Sequence, residues 1–342
     1  MKESLLIIEL NEFNIDLLKK GAAKLKLKNI QKFLKLNHSK TLSYDNLERH
    51  GLDPWVQWVS VHTGKKSSQH KIIRTGDINK LKFPQIWEIL GDKGFTTGIW
   101  GPMNASKRRT KGCKFFLPDP WTYSENAYPN ELNLFLSLPR YYAKNYIVPS
   151  KRSLVKSFIK MLIFFLSKKM IIKAFKETLN VLIIILNNGF KNMTLFSIFD
   201  IYNCLAFIEY KKEKQPDVSI LFLNSLAHLQ HHYWHDDFNK EMKLCLRVID
   251  KIFASLFQEK GKNESFIIIN ALSQRNIFTK GVFIYRQIDT EKLLKAINIK
   301  YDKFEEGMTN DIHVFFNSEY DKDLSYNLLS NAKLNGEKLF FV

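Results

Sequence analysis

The segment Leu5-Leu6-Ile7-Ile8-Glu9-Leu10-Asn11-Glu12-Phe13-Asn14 decides how the rest of the chain is read. Its first six residues form a short apolar run of the kind buried on both faces of a parallel sheet. The polar residues that follow lead into an amphipathic pattern from Ile15 to Leu36, which predicts one helix. Strand, polar turn and helix in that order put Asn11 and Glu12 at the carboxyl edge of a sheet, where open α/β folds build their sites. Helix capping accounts for Asn14 or Asp16; it does not account for Asn11 and Glu12.

The same pattern returns downstream. Phe95 to Trp100 reads as a strand that delivers Met103 and Asn104, and Val218 to Leu223 as one that delivers Asn224 and a run of histidines. Ser265 to Asn270 delivers Ser273 and Gln274, and Val282 to Tyr285 has the character of a further strand. Helices are predicted from Phe83 to Gly94, from Asn239 to Gln258 and from Thr290 to Ile297, with a last segment at Asn310 to Phe316. The expected fold is a three-layer α/β/α with a mostly parallel central sheet and a helical insertion. Residues 1–120 and 215–342 would form the core and 121–214 the insertion or cap.

The insertion differs in character. Glycine is rare from Asn130 to Lys214, and apolar segments alternate with lysines. No run reaches the ~18–20 apolar residues of a membrane span. Two readings stand: an ordinary helical subdomain with its own core, or, through the helices of 154–190, a basic apolar lid touching a membrane surface or a lipid-linked substrate.

The 342 residues carry 52 Lys+Arg against 34 Asp+Glu, a net charge of +18. Two readings fit this charge: an anionic partner, whether nucleic acid, an acidic membrane surface or a phosphorylated or acidic glycan, or simply a solvated lysine-rich surface. The lysines are scattered, which argues against a nucleic-acid groove. Cys113, Cys204 and Cys245 are few and far apart, matching no metal spacing or disulfide framework. A cytoplasmic location, with peripheral contact at the inner membrane, is expected; the N-terminal apolar run is too short for a signal peptide.

Asp53-Pro54-Trp55-Val56-Gln57-Trp58-Val59-Ser60-Val61-His62-Thr63-Gly64 has apolar residues near helical spacing between start and stop residues. A short buried helix is predicted, whose N-terminus near Trp55 suits an anion. A plain aromatic core helix is the competing reading.

Four of the nine histidines fall between His228 and His235. His228, His231 and His232 stand at i, i+3 and i+4, one helix face. Such imidazoles bind metal or phosphate, or move protons; a polar aromatic turn is the bland alternative. The strand ends carry mainly asparagine, whose uncharged amide suits hydroxylated or phosphorylated ligands better than hard metals.

The order of these features resembles the alkaline phosphatase superfamily, closest to its nucleotide pyrophosphatase/phosphodiesterase branch. Leu10-Asn11-Glu12-Phe13 stands where that branch has Leu-Asp-Gly-Phe, so Asn11 replaces a metal-binding Asp. Thr63-Gly64 and His70 match its Thr-Gly and following His, which puts Pro54 at the nucleophile position and Gln57 where an Asn assists the oxyanion. Asn224 and His228 match a metal-binding Asp and the His four residues on. Ala271-Leu272-Ser273-Gln274 replaces an Asp-His, and His313 matches a final His. The resemblance spans about 1–120 and 215–320. It implies the fold, and a site whose metal ligands are reduced to Asn224, His228 and His313, a weak set for one divalent metal (zinc or manganese) or none.

Two functions follow. One is a hydrolase or phosphotransferase acting on an anionic phosphorylated, sulfated or lipid-linked glycan. Glu12 would be its general base or acid and His228 or His232 its proton donor. Asn11, Trp55, Gln57, His62, Asn104, Asn224 and Gln274 would hold the substrate. The other is a pseudoenzyme that binds such a ligand without turnover.

Overall fold

The computed structural model describes residues 3–43, 45, 52–145, 150–188, 195–261, 263–276, 287–306, 312–340 and 342. The chain divides into two compact units, Met1–Phe278 and Thr279–Val342.

In chain order the first unit holds β1 (Ser4–Leu10), α1 (Ile15–Lys24), α2 (Lys28–Leu34), α3 (Pro54–Thr63), α4 (Ser67–His70), a 3-10 turn (Asp77–Lys80) and α5 (Ile86–Asp92). Then come β2 (Thr97–Trp100), β3 (Cys113–Leu117), α6 (Leu132–Asn145), α7 (Lys151–Ser167), α8 (Ile171–Asn188), α9 (Leu195–Lys214), β4 (Val218–Leu223), α10 (Ser225–Tyr233), α11 (Lys240–Gln258) and β5 (Glu264–Ile269). The strands form one sheet in the order β3-β2-β4-β1-β5. Every pairing is parallel, with Ile7 of β1 beside Ile220 of β4 and Ile267 of β5.

Strand alternation builds three layers. Leu6, Ile8 and Leu10 turn to a large core shared with α1, α2, α6–α9 and α11. Ile7, with Ile99, Phe116 and Ile220, turns the other way onto Trp87 of α5. The helical segment shares the sheet's core: Trp100 of β2 lies among Phe135, Phe207 and Tyr210, with ring centroids 5.5, 6.3 and 5.7 Å away. On β2, Gly98 is required, because a Cβ there would lie 2.3 Å from the Phe115 ring.

The expected single helix from Ile15 to Leu36 breaks. Lys26 takes a left-handed φ of 55°, and Asp250 of α11 accepts the N–H groups of Asn29 and Ile30 at 2.9 Å, capping α2 as a separate helix. That cap comes from a residue 221 positions away, out of reach of local pattern. The other expected helices and strands of this unit form close to their expected bounds. The expected strand at Val282–Tyr285 lies outside the described residues.

The second unit holds α12 (Thr290–Ala296), the antiparallel pair β6 (Lys303–Glu306) and β7 (Ile312–Phe315), α13 (Glu319–Asn331), and the hairpin of β8 (Lys333–Leu334) and β9 (Glu337–Lys338). Asp289 caps α12 and Ser318 caps α13.

Candidate active site

The sheet's carboxyl edge is where β1, β4 and β5 deliver Asn11, Asn224 and Asn270. The helix α3 descends onto this edge. Its Trp58 Nε1–H donates to Asn11 Oδ1 at 2.7 Å, while one helical turn later His62 Nε2 meets Glu9 Oε1 at 2.8 Å. Four residues of helix therefore match two of strand, so α3 runs antiparallel to β1 with its N-terminus at the edge. Pro54 occupies the first turn, and Gly64 ends the helix with φ 64°.

Asn11 continues the chain of donors. Its Nδ2–H donates to Asn224 Oδ1 at 2.7 Å and to Glu12 Oε1 at 3.2 Å, and Asn224 Nδ2 lies 3.1 Å from His228 Nε2. Each amide thus accepts on its oxygen and donates from its nitrogen. The last donor meets the lone pair of His228 Nε2, which places that ring's proton on Nδ1. Burial, followed by the positive charges of His231 and His232, pushes the His228 pKa down to about 3. The ring stacks on Phe196, with centroids 3.8 Å apart. A neutral, stacked imidazole with its Nε2 lone pair engaged does not suit the proton-donor role expected of it.

Glu12 holds the centre. It is a buried carboxylate on a residue with φ 53°, a left-handed conformation unusual for glutamate. Its carbonyl accepts from Gln230 Nε2 at 2.9 Å and from the Gln274 N–H at 3.4 Å, which brace that turn. Oε2 accepts from Gln274 Nε2 and lies 3.2 Å from His231 Nε2. Burial works to raise its pKa, but hydrogen bonds and charge from His231 and Gln274 leave it below the ordinary carboxylate value, so Glu12 is ionised. Gln274 Nε2 also lies 2.8 Å from His231 Nε2. This nitrogen of His231 therefore has both a donor and an acceptor in reach, and the ring is held whether Nε2 is bare or protonated. The His231 side chain is 58% exposed and that of Glu12 is 8%.

The remaining expected residues divide by place. His232 lies at the surface beside Tyr233, where partial desolvation by its neighbours and then the charge of His231 lower its pKa. Trp55 donates from its indole to Ile73 O at 3.1 Å. Gln57 is buried, donating to Asp45 and accepting from Ser43 Oγ. His62 points into the interior, wedged against Trp58 and Trp87, rather than to the edge. Asn104 is fully buried: its amide donates to Trp55 O and Arg74 O and accepts from Gly76 N–H, so it holds backbone rather than ligand. His313 lies on β7 in the second unit, opposite Glu305. Sequence reasoning put His231 on the right helix face but left it out of the site. The missing signal was its partner, Glu12, which lies more than two hundred residues away in the chain.

The residues present do not fit the metal ions that the resemblance implies. Asn11 Oδ1 accepts from Trp58 and Asn224 Oδ1 accepts from Asn11, and the His228 Nε2 lone pair meets an amide. Among the described residues no three His, Cys, Asp or Glu converge as ligands. No protein-family model, curated protein or solved structure matches this chain.

Proposed function

We propose that this is a metal-free hydrolase or transferase of alkaline phosphatase-like fold. It acts on an anionic ester, a phosphorylated, sulfated or lipid-linked glycan, with His231 and Glu12 as its working pair. The 3.2 Å contact between an exposed imidazole and a buried carboxylate carries the reading. Glu12 orients the ring and stabilises the imidazolium, which leaves Nδ1 for the substrate. His231 Nδ1 takes the proton of an incoming water or acceptor hydroxyl, and the leaving oxygen, on the opposite side in a direct displacement, takes its proton from solvent. Pro54 offers no nucleophilic atom at the α3 N-terminus, so transfer is direct. That helix end supplies positive potential for the substrate anion.

The test is turnover of a panel of sugar phosphates and sulfates. Glu12→Gln and His231→Ala should each lower kcat by about 10²- to 10⁴-fold, with His232→Ala near wild type. Unchanged turnover in both variants refutes the assignment. A binding-only protein is the second reading, favoured by Pro54 and by the inward pairing of Asn11 and Asn224. It is supported if the wild type binds these ligands and turns over none.

A further inference from the structure

The helices α7 and α8 each bear two apolar faces where a helix at a protein surface ordinarily bears one. On α7, Met161, Phe164 and Phe165 turn to the core, while Val155, Phe158, Ile159, Ile163 and Leu166 are exposed. On α8, Ala174 and Val181 are buried, while Ile172, Phe175, Leu179, Leu182, Ile183 and Leu186 are exposed. The exposed sets recur at three- and four-residue steps, so each is a single stripe. Ile172 is 78% exposed, Phe175 63% and Leu186 84%, values that describe side chains standing in solvent. The two helices pack together across a turn at Lys169.

The charge carried by these two helices is nearly all of one sign. From Lys151 to Asn188 the basic residues are Lys151, Arg152, Lys156, Lys160, Lys168, Lys169, Lys173 and Lys176, against Glu177 alone. Glu177 is itself paired with Lys251, and of the lysines Lys168 pairs with Glu131 and Lys173 with Glu209, so the excess rests on Lys151, Arg152, Lys156, Lys160, Lys169 and Lys176. Apolar stripes edged by lysine suit the boundary between anionic headgroups and acyl chains, where the stripe enters and the ammonium groups stay among the phosphates. Among the described residues no helix is long and apolar enough to cross a membrane, so the fit is to lying on the surface. A protein partner for such a face would need acidic residues around an apolar centre. An anionic bilayer supplies both at once and matches the net charge of +18.

We propose that α7 and α8 seat this protein on an anionic membrane surface by inserting their outer apolar stripes. The test is co-sedimentation of the full chain with vesicles of phosphatidylcholine, alone or mixed with phosphatidylglycerol. The wild type should bind the mixed vesicles strongly, the neutral ones weakly, and lose part of its binding in high salt. Ile172→Gln, Phe175→Gln and Leu186→Gln together, all at exposed positions, should keep the thermal transition and lower partitioning at least about tenfold. Lys156→Gln with Lys160→Gln should lower it about tenfold, on mixed vesicles only. Equal binding by wild type and triple variant overturns apolar insertion. So does a wild-type dimer that the triple variant makes monomeric while neither binds vesicles, which assigns the face to a second copy of the chain.

Discussion

Asp200 offers the sharpest test of how the candidate site is held. It lies on α9, buried, and its Oδ2 accepts the N–H groups of Asn224 at 3.1 Å and Ser225 at 2.8 Å. These are the first donors of α10, the helix that carries the histidines, so Asp200 caps that helix from another element. Burial raises its pKa from 3.8 to about 6 despite those hydrogen bonds. The native state therefore binds the proton more tightly than the unfolded chain. The resulting stability is complete below pH 3.8 and is lost as pH rises through about 6. A shift of about two units is worth about 3 kcal/mol in full, and about 2 kcal/mol between about pH 7.5 and about pH 4.5. Asp200→Asn keeps an oxygen for the two N–H groups and removes the titration. Urea unfolding of wild type and variant at both pH values, with m unchanged, isolates this group as a double difference. Wild type should gain about 2 kcal/mol more than the variant on acidification. A double difference near zero would refute a buried carboxylate at the α10 N-terminus.

Two further outcomes test the edge of the sheet. The His228 ring should stay neutral down to about pH 4 by proton NMR of its C2–H, while the unfolded chain protonates near pH 6.5; its contribution to stability is present above 6.5 and falls away as pH drops towards 3. An ordinary midpoint would break the donor chain ending on its Nε2. Trp58→Phe keeps the aromatic bulk but leaves Asn11 Oδ1 without its indole donor in a buried setting. It should cost about 1–3 kcal/mol in denaturant unfolding, and a neutral result would show that the indole bond is not made.

Much of the fold was legible because its signals are local. The run Leu5–Leu10 and the run Val218–Leu223 are apolar on both faces, as strands covered by helices on both sides must be. Pro54 and Gly64 bound α3 as expected, since φ restriction and left-handed tolerance belong to single residues. The break after Lys24 was not legible, because the carboxylate that caps α2 comes from α11. Nor was the inward turn of His62, which answers Glu9, a charged residue within an otherwise apolar strand. Asn104 looked like a ligand-binding amide at a strand end. Its left-handed φ of 53° and four backbone-linked bonds make it a structural joint.

By itself the sequence determined that strands would be parallel and central, that polar residues would gather at one edge, and that three histidines would share a helix face. Periodicity and turn chemistry act over a few residues and need no knowledge of the rest of the chain. Only the tertiary structure decided which polar group answers which. Asn11 reaches Asn224 across 213 positions and Glu12 reaches Gln274 across 262. Strand register and helix placement bring those partners within 3 Å. A buried amide or carboxylate takes whatever donor that packing supplies, so His228 became the end of a closed chain and His231 the exposed partner of Glu12.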